Sequence, residues 1–440
     1  MTAGRASARD VLRLAAPALP VLAAEPLYLL VDTAVVGRLG AVPLAALAVA
    51  GILFAQVTSQ LNFLSYGTTS RAARLYGAGR RGAAVAEGVQ ATWLAIGVGV
   101  LVLVVGQIVA GPVTRVLGGV AEIAGAAESW LRVALFGAPL VLITLAGNGW
   151  MRGVQDTGRP LRIVLAANVL SALACPVLVH GAGEWPGLGL VGSAVANLCG
   201  QTVGATLFVV ALLRERDSSL RPEPVVLRAQ LTIGRDLLAR SLAFQACFLS
   251  AAAVATRFGA ASAAAHQIVL QLWFFMALVL DAVAIAAQSL VGASLGSAGS
   301  GGAARARGLA AQVTRYGLVL GCGFGVLFAA LIGVLPQVFT TDAAVLAVVP
   351  VAWWYFVVLQ PVAGVVFAVD GVLLGAGDAA FLRTSTLAAA VLGFLPLVWA
   401  SLVFGWGLAG IWSGLAAFML LRLVAVGLRA RSDRWLVVGA

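Results

Sequence analysis

Apolar stretches of about 20 residues or longer recur along the whole chain, and no other feature restricts its fold as strongly. Twelve such stretches lie at residues 11–34, 41–66, 91–113, 130–148, 161–180, 187–213, 236–256, 263–292, 309–337, 344–369, 380–403 and 407–427. Each is long enough to cross a bilayer as a helix and too long for a barrel strand. Because backbone groups in lipid must be hydrogen-bonded within their segment, the sequence predicts an all-α integral membrane protein with twelve transmembrane helices.

The placement of the basic residues agrees with this plan. Of 440 residues, 61% are hydrophobic and 10% charged, and the 28 basic residues are all arginine. Twelve spans put both termini on one side, and only Arg38, Arg115, Arg132 and Arg257 fall on the other. The positive-inside rule therefore predicts that both termini are cytoplasmic. The net charge of +11 reflects this topology, so we expect the lipid bilayer, and not nucleic acid, as a partner.

Short patterns recur at a separation near 219 residues, which relates the two halves of the chain. The segment "GRLGAVPLAALA" from Gly37 matches "TRFGAASAAAHQ" from Thr256. We predict an N-terminal six-helix lobe at residues 1–213, a cytoplasmic connector at 214–235 and a C-terminal six-helix lobe at 236–440. Equal topology in both lobes means a parallel internal repeat, which is typical of transporters that rock two lobes around a cavity.

The chain offers little chemistry for an enzyme. It contains no lysine, so it cannot itself be a P-loop ATPase. A GxGxxG pattern at residues 187–192 opens a membrane helix and follows no βαβ strand, so we do not read it as a nucleotide site. No metal-ligand spacing occurs, and we interpret four cysteines as small core residues: Cys175, Cys199, Cys247 and Cys322. We therefore predict a transporter with no catalytic residue, metal or cofactor, driven by an ion gradient.

Four acidic residues lie within the apolar stretches. They are Glu25, Asp32, Asp281 and Asp370. A carboxylate at bilayer depth costs about 2.5–3.5 kcal/mol, so each one requires a partner, a water-filled cavity or a proton. Intramembrane acids are functional candidates for that reason.

The first two of these acids share one face of the first predicted helix. Glu25, Tyr28 and Asp32 follow the spacing i, i+3, i+7, which aligns them on a 3.6-residue period. Pro26 removes a helical hydrogen bond beside them, so we predict a hinge there. A carboxyl group away from water binds a proton more readily than in water, which predicts proton coupling through Asp32 and Glu25. The alternative is that either acid stays protonated as a hydrogen-bonded part of the core.

Polar side chains in the first half are further candidates for a substrate or ion cavity. They are Gln56, Asn62, Asn168 and Asn197. We group them with Tyr28, Asp281 and Asp370 as the predicted cavity residues. For each of the four amides, a structural hydrogen bond between helices is an equally good interpretation.

Three segments resemble the DinF-like branch of the multidrug and toxin extrusion (MATE) transporters. They are "EPLYLLVDTAVVGRLG", "FLSYGTTSRAARLYGAG" and "AAAHQIVLQLWFFMALVLDAVAIAAQSLVGASLG". The segments occur in the family's order and span both halves of the chain. The resemblance implies a two-lobe antiporter that exports small amphipathic, often cationic, compounds in exchange for protons or sodium ions.

The resemblance also implies roles for individual residues. In that branch the aspartate of the "VDTAVxG" motif is the coupling residue, and a bend at the preceding proline is part of the cycle. These roles carry over to Asp32 and Pro26. Some members add an asparagine and an aspartate on helix 5, where this chain has Asn168 but Ala172 in place of the acid. A helix 6 threonine of the same cluster is replaced by Asn197.

The sodium-coupled branch of the family uses acids on helices 7 and 10. Asp370 aligns with the second, but Phe244 or Gln245 stands in place of the first, so a cation site in the second half is incomplete. The role of Asp281, in a segment that DinF-like members share, stays open. Proton coupling through Asp32 is therefore favoured over a sodium-coupled exporter.

A lipid or lipid-linked precursor flippase of the same superfamily is a further alternative. Such flippases have a strongly basic cavity or extra helices, whereas this sequence indicates few buried arginines and twelve spans. Abundant Ala, Gly and Arg without Lys is compatible with a GC-rich bacterial genome. We accordingly expect a monomer in a bacterial plasma membrane.

Overall fold

The computed structural model describes residues 8–216, 219–297 and 301–439, which are mostly helical. Arg5 and residues 217–218 of the predicted connector lie outside the described residues. The helices are α1 (Ala8–Gly37), α2 (Ala41–Gln60), α3 (Phe63–Gly77), α4 (Arg81–Gly118), α5 (Ala121–Ala134), α6 (Gly137–Gly153), α7 (Gly158–His180), α8 (Leu190–Glu215), α9 (Pro224–Arg257), α10 (Ala260–Gly296), α11 (Gly301–Leu331), α12 (Leu335–Phe339), α13 (Ala343–Gly375), α14 (Ala379–Ala389), α15 (Leu395–Phe404) and α16 (Gly407–Arg431). The all-α prediction is confirmed.

The described residues contain 11 helical spans that are long and apolar enough to cross a membrane. A further pair, α5 and α6, passes the same test together but is bent by 46°. Counting this pair as one span gives the predicted total of twelve. The span predicted at 130–148 is therefore bent, and Pro139 in the first turn of α6 lacks the amide N–H that a continuous helix would need there.

The segment predicted as a connector is partly helical. Helix α8 continues to Glu215, and α9 begins at Pro224, whose ring fixes a backbone angle suited to a first helical turn. Side chains of α4 bind the residues between them: Trp93 Nε1 donates to the Leu220 carbonyl oxygen at 2.7 Å, and the Gln90 amide bonds the backbone at Arg221 and Glu223. The connector is therefore held against α4.

The chain divides into two compact units. The first runs from Ala16 to Gly234, and within it α4 packs on α6 and α7 packs on α8. The second contains the chain from Arg235 onward, with the first turns of α1 up to Ala15. Its central helix is α13, which packs on α10, α11 and α16.

Glycines allow the backbone of α13 to approach its neighbours closely. A Cβ atom on Gly371 would lie 2.3 Å from the carbonyl oxygen of Ala284 in α10. A Cβ atom on Gly364 would lie 2.0 Å from the carbonyl oxygen of Gly317 in α11. Both distances are shorter than van der Waals contact, so only glycine permits this packing. The contact at Gly371 fixes the position of its neighbour Asp370.

The cysteine interpretation is correct for two of the four residues. Cys175 and Cys247 are buried, whereas Cys199 and Cys322 are exposed on the surface of their spans, which corrects their assignment to the core. A thiol is weakly polar and suits contact with lipid as well as with a protein core. Residue type alone therefore did not distinguish the two locations.

Gly371→Ala is expected to destabilise the second unit by about 1–3 kcal/mol, because the added methyl group forces α13 away from α10. Thermal unfolding of the purified protein in detergent measures the effect. Gly323→Ala is the matched control, since a Cβ there meets nothing within 4 Å. Equal unfolding temperatures for the two variants would contradict the close packing of α13.

Candidate functional site

Helix α1 carries the predicted acidic face within the first unit. It is a continuous helix from Ala8 to Gly37 with three internal prolines, one of them Pro26. Tyr28 and Asp32 are buried on this face, while Glu25 is exposed. The three side chains therefore lie along one helix, as helical periodicity predicts. Glu25 is accessible, whereas Asp32 is enclosed.

Asp32 is enclosed by side chains from three other helices. Only 2% of its surface is exposed. The Cys175 thiol on α7 donates to Asp32 Oδ1 at 3.4 Å, and the side chain of Ser193 on α8 hydrogen-bonds the same carboxyl group. Trp130 Nε1 on α5 donates to Ser193 Oγ at 2.7 Å. Since the serine oxygen accepts from the indole, its own hydrogen is available to Asp32.

A second set of polar contacts links the exposed acid to the same helix α8. The side chain of Asn197 hydrogen-bonds both Glu25 and Tyr28. The Tyr28 hydroxyl lies 3.5 Å from the backbone oxygen of Ser193, one helical turn before Asn197. Polar groups thus connect Glu25 through Asn197 and Tyr28 to the serine that contacts Asp32. We call this set the acidic network. Its members are Glu25, Tyr28, Asp32, Trp130, Cys175, Ser193 and Asn197.

Other predicted cavity residues of the first unit have different contacts. Asn168 is half-buried and donates to the carbonyl oxygen of Val164 in its own helix at 3.0 Å. Asn62 is exposed and donates to the Ser59 carbonyl oxygen at 3.3 Å, and Gln56 is exposed. These bonds do not involve Asp32 or Glu25, and the role of the three amides as cavity residues stays a prediction.

Three members of the acidic network were not predicted as site residues: Trp130, Cys175 and Ser193. A signal for Cys175 was present, because residues 168, 172 and 175 share one face of α7 on a 3.6-residue period. Ser193 likewise lies four residues before Asn197, on the same face of α8. Trp130 gave no comparable signal.

The remaining two acids lie in the second unit. Asp281 is half-buried on α10. Asp370 on α13 is 4% exposed and binds two guanidinium groups, those of Arg240 and Arg422. Arg422, which the topology argument placed at the cytoplasmic surface, is 1% exposed, and Arg152 is 5% exposed. Arg152 lies in the first unit and Arg422 in the second, so buried arginines are few among the described residues, but one of them binds Asp370.

Comparison with known proteins gives relatives along nearly the whole chain. "Protein DETOXIFICATION 44, chloroplastic" of Arabidopsis thaliana is 32% identical over 443 residues, which cover 97% of this chain and 83% of that protein. "DNA damage-inducible protein F" of Escherichia coli is 28% identical over 419 residues, covering 90% and 86%. A solved structure described as MATE in the bent conformation has a TM-score of 0.86 over 96% of this chain and 94% of that chain, at 20% identity. That likeness shows the fold.

The predicted localisation in a bacterial plasma membrane is contradicted by the chloroplastic relatives from Arabidopsis. The Arabidopsis protein that matches 97% of the chain is chloroplastic. That prediction rested on a composition compatible with a GC-rich genome. Such a composition constrains codon usage but does not identify a membrane. The multi-pass membrane location itself is supported by the spans.

A family model matches both halves of the chain. The MatE model covers residues 17–177 and 237–399, which together are well over half of the sequence. Its two matches agree with the internal repeat and with the twelve-span fold. The predicted resemblance is confirmed, and the chain belongs to the MatE family of multidrug and toxin efflux transporters, which are not enzymes.

Proposed function

We propose that this transporter is a proton-driven antiporter, in which Asp32 takes up and releases the coupling proton while an amphipathic organic compound is exported. The observation that carries the proposal is the chemistry around Asp32. The acid is buried, and the side chains that hydrogen-bond it within the described part of the chain are a thiol and a hydroxyl, both neutral. No fixed positive charge among these contacts holds the carboxylate in one protonation state.

The same neighbours suit both forms of the acid. When Asp32 is charged, the Cys175 thiol and the Ser193 hydroxyl donate to it. When Asp32 is protonated, it becomes a donor, and a serine hydroxyl that already accepts from Trp130 has a second lone pair for it. Because neither state leaves a buried partner unsatisfied, the proton can be gained and lost without a large penalty.

The ligand atoms near Asp32 favour a proton over a sodium ion. Hard cations prefer several carboxylate, carbonyl or water oxygens. Here a cysteine sulfur contacts the carboxylate, and Ala172 stands where some relatives have a second acid. A sodium-coupled exporter is the alternative that the experiments below test directly.

The chain of contacts from Glu25 supports a route for the proton. Glu25 is exposed, and Asn197 and Tyr28 connect it toward the buried end of the network. Pro26 lies next to Glu25, so a bend of α1 there would move the exposed acid relative to Asp32. We propose that this bend couples the protonation of Asp32 to the transport cycle.

Asp32→Asn is expected to reduce proton-driven efflux to background, because the amide cannot exchange the coupling proton. Efflux of a fluorescent amphipathic dye from proteoliposomes under an imposed pH gradient measures this. Glu128→Gln is the control, since Glu128 is an acid of the same unit that pairs with Arg132 at 2.7 Å. Efflux by Asp32→Asn at the wild-type rate would rule out Asp32 as the coupling residue.

The identity of the coupling ion is tested with separate gradients. A pH gradient in sodium-free buffer is expected to drive efflux at the full rate. A sodium gradient at equal pH on both sides is expected to drive none. The opposite pattern would show that the exporter is sodium-coupled.

Ser193→Ala is expected to lower efflux about tenfold and stability by about 1–3 kcal/mol, because Asp32 loses a donor and the buried Trp130 N–H loses its acceptor. In the double variant Trp130→Phe with Ser193→Ala, the unpaired indole N–H is gone, so stability should recover. Efflux should stay low, since Asp32 still lacks the serine. If the double variant recovers both efflux and stability, Ser193 has only a structural role.

A further inference from the structure

Helix α7 ends at His180, whose exposed side chain contacts helix α1. His180 Nε2 lies 3.1 Å from the carbonyl oxygen of Val35. Because a carbonyl oxygen only accepts, the ring nitrogen is the donor in this bond. Nε2 carries a hydrogen both in the neutral Nε2–H tautomer and in the protonated ring, so the bond forms whatever the charge of the imidazole.

Val35 lies in the last turn of α1, three residues after Asp32. The last four carbonyl groups of a helix have no partner within it, and a histidine side chain is a suitable donor to them. Within its own segment, the Val35 oxygen accepts from the Arg38 amide at 3.3 Å. His180 adds a donor from a different helix and so ties the end of α1 to α7.

Helix α7 also holds α1 at a second point. The Cys175 thiol, five residues before His180, donates to Asp32 Oδ1 at 3.4 Å. Both bonds lie on the part of α1 that follows Pro26, the predicted hinge. A movement of that part about Pro26 therefore changes both contacts unless α7 moves with it.

A tight turn joins the end of α7 to the start of α8. The Leu188 amide donates to the Leu178 carbonyl oxygen at 2.8 Å, and a Cβ atom on Gly192 would lie 2.2 Å from the same oxygen. Gly187 has a φ of +77°, and a Cβ atom there would lie 2.5 Å from the backbone nitrogen of Gly181. These close approaches explain the GxGxxG pattern at residues 187–192. Its glycines pack the two helix ends together directly beside His180.

The turn leads into the third contact with α1. Ser193 follows Gly192 on α8, and its side chain hydrogen-bonds Asp32. Cys175, His180 and Ser193 thus bind α1 from one closely joined pair of helices. Because α7 packs on α8, the positions of the three donors are linked.

We propose that His180 is a positioning residue for proton-coupled export, because its bond to Val35 keeps Asp32 within reach of the donors on α7 and α8. The role in export rests on the proposed antiporter function, whereas the placement of α1 does not. His180 does not carry the coupling proton in this proposal, since its bond is independent of its charge. The alternative is that His180 only caps the end of α1.

Two substitutions isolate the hydrogen bond. His180→Leu removes the donor, whereas His180→Gln keeps an N–H donor and cannot become charged. His180→Leu is expected to lower the maximal rate of proton-driven dye efflux at least about fivefold at an unchanged half-saturating dye concentration, because Asp32 is less often aligned with its donors. His180→Gln is expected to restore at least about half of the wild-type rate.

Thr202→Val is the matched control for the loss of an exposed hydrogen bond. The Thr202 hydroxyl lies on the exposed side of α8 and donates to the Leu198 carbonyl oxygen of its own helix at 2.7 Å. This variant should export dye at the wild-type rate. Wild-type efflux by His180→Leu would overturn the proposal, as would equally low efflux by the leucine and glutamine variants.

Hydrogen–deuterium exchange of the purified full chain in detergent tests the placement of α1 without any gradient. Exchange in a peptide spanning residues 33–40, measured by mass spectrometry, is expected to be about fivefold faster in His180→Leu than in the wild type. His180→Gln should return it to the wild-type rate. Unchanged exchange in His180→Leu would show that the bond does not hold α1, and the proposal would fail.

The two measurements keep this inference apart from the proposed function. Absence of proton-driven efflux in the wild type contradicts the antiporter function and leaves the exchange comparison intact. Faster exchange in His180→Leu with wild-type efflux means that His180 only caps α1, which contradicts the positioning role alone. Because His180 is exposed, neither substitution leaves a cavity, and both variants should unfold near the wild-type temperature.

Discussion

The cost of placing a charged side chain in an apolar, membrane-spanning unit governs both acidic sites of this transporter. Asp32 and Asp370 are buried to a similar degree, but their neighbours differ. Neutral groups hydrogen-bond Asp32, and in the proposed mechanism the acid itself changes charge. Two guanidinium groups bind Asp370, which is therefore part of an ion cluster. The same residue type therefore lies in two different electrostatic surroundings, which its hydrogen-bond and ion-pair partners determine.

The two halves of the chain share one helical plan but differ in their electrostatics. The first unit holds an acidic network whose members other than Glu25 and Asp32 are uncharged. The second unit holds an ion cluster in which two guanidinium groups bind one carboxylate. A duplicated fold allows this divergence, because each half has its own set of helices to hold a buried charge. A change in one site need not disturb the packing of the other.

Hydropathy predicted the helices well, since the bilayer dictates both their length and their backbone hydrogen bonding. The face with Glu25, Tyr28 and Asp32 followed from helical periodicity alone. The break between α5 and α6 was missed because a proline in an apolar stretch leaves hydropathy unchanged. Cys175 could not be paired with Asp32 from the sequence, since the two lie 143 positions apart and no local periodicity relates them.

Arg422 shows that the membrane side assigned to an arginine does not determine whether its side chain is exposed or buried. Counting arginines near span ends assigned it to the surface, yet it lies nine residues before the end of α16 at Arg431. Its side chain is 1% exposed, so the guanidinium group does not reach solvent. Arg422 must therefore find its partner inside the protein, and Asp370 is already bound by Arg240. Two guanidinium groups therefore share one carboxylate oxygen, an arrangement that arises from helix packing and that a count of basic residues along the sequence does not reveal.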